Sequence, residues 1–129
     1  MKQFEDMGFT PGIMNAIHEL GFEEPMPVQS KVIPLMLNEE NDIIALAQTG
    51  TGKTAAFGLP LVQTTDTTIS TTQALILCPT RELCMQIKGD LSDYAKFTGR
   101  LNILAVYGGA SIDNQIRELK LLFVSFICT

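Results

Sequence analysis

The sequence predicts an α/β fold, a parallel sheet with helices on both faces. Two observations lead to it. The stretch Ile43-Ile44-Ala45-Leu46-Ala47, then Gln48-Thr49-Gly50-Thr51-Gly52-Lys53-Thr54, then Ala55-Ala56-Phe57-Gly58-Leu59 reads as strand, glycine-rich turn and helix. Beyond it, apolar runs at 73–78, 101–107 and 121–128 alternate with segments of helical period. Such alternation implies right-handed crossovers between parallel strands, with ligand loops at the strands' carboxyl ends.

Each element has its own local reason. Thr10 is an N-cap residue ahead of Pro11, and Ile13, Ile17 and Leu20 recur at helical spacing before Gly21 stops the helix. Pro25 and Pro27 make 22–28 an ordered connector, and a second helix is expected over 28–37 with Val32, Leu35 and Met36 inward. Residues 38–41 are a polar turn, and 42–47 the first strand. Residues 63–72, rich in Thr, read as a solvated loop. Residues 73–78 are apolar nearly throughout, as a strand covered on both faces would be. Pro79-Thr80 breaks that strand and caps a helix carrying Leu83, Ile87, Leu91 and Tyr94 on one face. A third strand is expected at 101–107, ahead of Gly108-Gly109. Ser111 caps a helix with Ile112, Ile116 and Leu119 inward, and the final apolar run is a fourth strand or a sticky end.

Composition narrows the function classes. The chain has 129 residues, enough for one core, with 46% hydrophobic residues and a mean hydropathy of +0.20, which excludes a disordered chain. Net charge is −5 and the pI about 4.7, so any nucleic-acid contact must come from a local patch. Cys78, Cys84 and Cys128 show no metal spacing and no Cys-His nucleophile pairing, and read as reduced thiols of a cytoplasmic protein. No apolar stretch reaches membrane-spanning length, so no membrane partner is expected. His18, beside Glu19, reads as a surface residue.

The turn at 47–54 is a phosphate-binding loop. Gly50 and Gly52 allow successive N–H groups to point at a polyphosphate, and the following helix adds its positive dipole end. In such a loop Lys53 reaches the β/γ-phosphates and the Thr54 hydroxyl takes a Mg²⁺. Ala47 stands where the usual pattern has its first glycine. Upstream, Gln29 has an amide able to meet the N6/N7 edge of adenine, and an aromatic such as Phe22 or Phe4 can stack. On residues alone, Gln29 could instead cap a helix and Phe22 fill the core. Arg81 could simply pair with Glu82 or Glu118, and Gly108-Gly109 could be an ordinary turn.

With these segments in order, the chain closely resembles the DEAD-box RNA helicase family. Residues 21–29 resemble its Q motif, 47–54 its motif I, 79–83 (Pro-Thr-Arg-Glu-Leu) its motif Ia, and 108–109 its GG doublet. The resemblance covers nearly the whole chain and implies a RecA-like P-loop NTPase domain, incomplete. It implies ATP and Mg²⁺ as cofactors: Gln29 reading adenine, Phe22 packing on the base, Phe4 supporting it. Gln48, Thr49, Gly50, Thr51, Gly52, Lys53 and Thr54 would then hold phosphates and Mg²⁺, with Lys53 and Thr54 the catalytic members. It also implies that Pro79, Thr80, Arg81, Gly108 and Gly109 touch the backbone of single-stranded RNA without reading its sequence.

No Asp-Glu-Ala-Asp or Ser-Ala-Thr occurs in these residues. The resemblance therefore implies an N-terminal portion of the first RecA-like domain, ending before the DEAD motif and without the second domain that supplies arginines to the transferring phosphate. Such a chain is expected to bind ATP with little turnover. A stand-alone adenine-nucleotide-binding module and a non-functional remnant are the other readings.

Overall fold

The computed structural model describes residues 3–121 and 126–128. A short 3-10 helix, Phe4–Met7, leads into α1 (Pro11–Glu19), α2 (Pro27–Asn38) and α3 (Lys53–Thr64). Then follow β1 (Ala74–Ile76), α4 (Arg81–Tyr94), β2 (Ile103–Ala105), α5 (Ile112–Leu121) and β3 (Phe126–Cys128). The strands form one parallel sheet in the order β1-β3-β2. In register, Leu75 and Leu104 both pair with Ile127, so the last strand of the described chain becomes the middle of the sheet.

The helices start and stop for the reasons their sequences suggest. α1 ends in a paired C-cap: Gly21 sits at φ +71°, its N–H donates to the His18 carbonyl, and the Phe22 N–H donates to Ile17. Thr80 caps α4, its hydroxyl oxygen accepting from the Leu83 N–H at 3.2 Å. Thr10 has the extended backbone of a cap, but its side chain makes no capping bond. α2 packs on α3, α3 on α4, and α4 on β2 and β3. Phe4, Ile13, Ile17, Ile33, Leu59, Val62 and Leu91 fill the core between them.

Several local expectations change. Residues 42–47 form no strand: Ile43 is half-buried toward α2 and α3, while Ile44 and Leu46 are 91% and 94% exposed. A strand needs a ladder partner, and among the described residues the sheet offers this segment none. β1 is covered on one face rather than two, since Leu75 and Leu77 lie open. Ile112, Ile116 and Leu119 of α5 are exposed rather than inward, because no described element covers that face. In α2 Val32 is buried as expected and Ile33 is buried as well, while Leu35 and Met36 are only half-buried. The fourth strand is found, though the run's residues 122–125 lie outside those described. Of the loop expected over 63–72, Gln63 and Thr64 belong to α3 instead, and residues 66–72 are solvent-exposed.

Candidate functional site

The glycine-rich loop folds back on its own backbone. Gly50 and Gly52 adopt φ of +75° and +74°, left-handed values that a side chain disfavours. Gly52 is the N-cap of α3, so the helix starts at Lys53 with its N–H groups facing the loop. The Lys53 ammonium donates to the carbonyls of Ala47 (2.5 Å) and Gln48 (3.1 Å), and the Thr51 hydroxyl donates to Gln48 at 2.7 Å. Two carbonyls thus hold the cation where a bound anion would compete for it.

The segment ending in Gln29 is built against this loop. Gln29 is buried at 4% exposure. Its Oε1 accepts from the Met26 N–H at 2.9 Å, and its Nε2 donates to the Gly52 carbonyl at 3.2 Å. The helix-capping bond that was the alternative reading of Gln29 is therefore present, together with a contact to the loop. Phe22 stacks on Phe4, with ring centroids 6.3 Å apart and planes 24° apart. Phe4 is itself buried, so it backs Phe22 rather than facing a ligand.

Both segments open onto one cavity of about 1000 Å³. Phe22, Gln29, Thr49, Gly50, Gly52, Lys53 and Thr54 line it from one side, while Gln48, Thr51 and Phe4 are not among its lining residues. The opposite wall is α4, through Leu83, Gln86, Asp90 and Tyr94. Gln86 and Asp90 were not legible as site residues, and Tyr94 read only as core. Burial, then Asp93, raises the Asp90 carboxyl above its ordinary value; burial, then Asp90 and Asp93, pushes the Tyr94 phenol up, so it stays a neutral donor. Among the described residues no cluster of three or more His, Cys, Asp or Glu could hold a metal.

A second group gathers at the carboxyl ends of β1 and β2. Pro79 and Thr80 follow β1, and Arg81 opens α4. The Arg81 guanidinium lies 6.0 Å from the centroid of Tyr107, just ahead of Gly108-Gly109. Gly109 is at φ +89°, and a Cβ there would stand 3.1 Å from an Arg81 terminal nitrogen. Arg81 also pairs loosely with Glu82 at 3.8 Å, both groups exposed. Exposed ion pairs of this kind contribute little. Helix α4 thus carries both groups, Arg81 at its start and the cavity wall along its length.

The family model of the DEAD/DEAH box helicases matches residues 26–129. The chain belongs to the DEAD/DEAH box helicase family. It is 46% identical over 120 residues to the DEAD-box ATP-dependent RNA helicase CshA of Geobacillus kaustophilus, covering 93% of this chain and 25% of that protein. Against the ATP-dependent RNA helicase DeaD of Escherichia coli it is 44% identical over 117 residues, 91% of this chain and 18% of the relative. The chain therefore spans a quarter or less of the curated relatives it matches. Among solved structures, a DEAD box protein from Methanococcus jannaschii superposes with a TM-score of 0.92 at 38% identity, over 98% of this chain and 34% of that one. Saccharomyces cerevisiae Dbp5 bound to RNA and ADP BeF3 superposes at 0.87 with 29% identity, over 100% of this chain and 32% of that one. This DEAD/DEAH box chain thus has the RecA-like helicase fold over the part of the domain that it spans.

Proposed function

We propose that this chain is the ATP-binding portion of an ATP-dependent RNA helicase. The observation that carries this reading is the bond from the Gln29 amide to the Gly52 carbonyl, which joins a base-reading side chain to the head of the phosphate loop. Adenine meets Gln29, with Phe22 packed on the ring and Phe4 behind it. The phosphates take the N–H groups of 49–54 and the Lys53 ammonium, which leaves the carbonyls of Ala47 and Gln48. The Thr54 hydroxyl would help to hold a Mg²⁺, which would supply positive charge to the phosphates. Thr80, Arg81, Gly108 and Gly109 meet the sugar-phosphate backbone of RNA, an interaction independent of sequence. The setting is cytoplasmic.

Phosphoryl transfer needs a positioned water and charge stabilisation, and an arginine finger alone is worth roughly 10³–10⁵ in rate. No Asp-Glu-Ala-Asp is present among these residues. The 129-residue chain by itself therefore binds ATP and turns it over slowly or not at all.

Calorimetry with ATP and Mg²⁺ on the parent, Lys53→Ala and Gln29→Ala chains tests the reading. Binding is expected in the parent, lost in the first variant and indifferent between ATP and GTP in the second. Unchanged preference for ATP in Gln29→Ala would remove the adenine-reading role. RNA-stimulated hydrolysis well above background, abolished by Lys53→Ala, would sink the expectation of slow turnover.

A further inference from the structure

We infer that Tyr107, held by Gln115, is the positioning residue that aims the Arg81 guanidinium at a phosphate seated over Gly109. The inference rests on the proposed role of Arg81 toward an RNA backbone, and adds the device that orients it. Gln115, in α5, spans the backbone of Tyr107 with both ends of its amide: Oε1 accepts from the Tyr107 N–H at 3.0 Å, and Nε2 donates to the Tyr107 carbonyl at 3.1 Å. This is the hydrogen-bond pair a neighbouring strand would supply, and it fixes the residue preceding the glycine turn.

Among the described residues, the fixed ring has one cationic neighbour. Arg81 lies 6.0 Å from its centroid, at the limit of cation–π contact, with a terminal nitrogen close against Gly109. The Arg81 side chain is 53% exposed, so its charge stays open to solvent and ligand. A free arginine of that exposure would sample many rotamers. One laid over a ring loses less entropy when it engages a phosphate. The glycine beside it leaves room for the phosphate to approach without a Cβ.

The test is binding of a fluorescein-labelled oligouridylate by anisotropy across a salt series, with ATP affinity as the folding control. The parent is expected to bind. Arg81→Ala should weaken binding and lower the slope of log K against log salt by about 0.7, one phosphate contact. Tyr107→Leu should weaken binding about two- to fivefold with a smaller loss of slope than Arg81→Ala, while Tyr107→Phe keeps both. The double variant Arg81→Ala/Tyr107→Leu should match Arg81→Ala alone, because the ring acts only through the guanidinium. Gln115→Ala should follow Tyr107→Leu.

Failures separate cleanly. No binding by the parent, or no effect of Arg81→Ala, defeats the RNA role of Arg81 and the inference with it. An effect of Arg81→Ala with none of Tyr107→Leu leaves that role standing and overturns the inference. So does a loss in Tyr107→Phe, a slope unchanged in Tyr107→Leu, or additive losses in the double variant.

Discussion

Gln29 Nε2 donates to the carbonyl of Gly52 at 3.2 Å, and a Cβ on Gly52 would stand 2.3 Å from that same nitrogen. The Gln29 amide therefore lies directly on the glycine-rich loop, and only a glycine can occupy the point of contact. Movement of either group must be felt by the other.

Gly52→Ala should consequently cost more than Gly50→Ala. Both positions hold left-handed φ, and a side chain there costs about 1–2 kcal/mol. Gly50 has open space around it, whereas Gly52→Ala must also displace Gln29. Urea unfolding and ATP calorimetry should show similar strain in both variants, with lost preference for adenine only in Gly52→Ala. Equal base selectivity in the two would mean that the contact transmits nothing.

Gly58→Ala tests the α3–α4 seam. An added Cβ would lie 2.9 Å from Tyr94 and 3.0 Å from Leu91, both buried side chains. Overpacking of this kind costs about 1–3 kcal/mol, which exceeds the ~1 kcal/mol that alanine gains in helix propensity. A net loss of stability is expected in denaturant melts. A stabilised variant would show that the seam has slack.

Leu91→Ala should be far more damaging than Leu75→Ala. Leu91 is fully buried and its truncation leaves a cavity, costing about 2–5 kcal/mol. Leu75 is 60% exposed, and its loss should stay within about 0.5 kcal/mol. Comparable midpoints for the two variants would contradict the one-sided covering of β1.

Asp90→Asn should stabilise the chain at neutral pH. Burial, then Asp93, raises the Asp90 carboxyl above its ordinary 3.8. The folded state therefore holds this proton more tightly than the unfolded chain does. Asp90 opposes folding once pH rises above 3.8 toward the raised value and beyond, and this opposition is absent below 3.8. The gain from asparagine should fade as urea unfolding is repeated at falling pH. A gain that persists unchanged in acid would mean that charge is not its cause.

The exposed apolar row should make the chain associate. Ile44 and Leu46 are almost wholly exposed on a segment without a ladder partner among the described residues, a surface open to intermolecular contact. Ile44→Lys/Leu46→Lys should suppress concentration-dependent growth in sedimentation. Growth unaltered by the two charges would place the sticky surface elsewhere.

Glutamines show where the sequence stops being legible. Gln29, Gln63, Gln73 and Gln115 each use one amide to satisfy a backbone N–H and a backbone carbonyl in irregular chain. Gln63 ties Thr10 and Gly8 to α3, and Gln73 closes the loop on Asp66. Only Gln29 stood out beforehand, because it ends a recognisable segment. The others are scattered, and their partners lie between 7 and 55 residues away.

What the sequence determined by itself is local. The glycine-rich loop, the helix stop at Gly21, the cap at Thr80 and the alternation of strand and helix follow from turn chemistry and side-chain period within a few residues. The order of the short motifs added the family. Tertiary structure alone decided that β3 is the central strand and that 42–47 stays outside the sheet, because pairing depends on distant backbone finding a partner. It also decided that α4 walls the cavity, that Gln29 touches Gly52, and that Tyr107 lies under Arg81. These are meetings between segments far apart in the chain, fixed by packing rather than by local propensity.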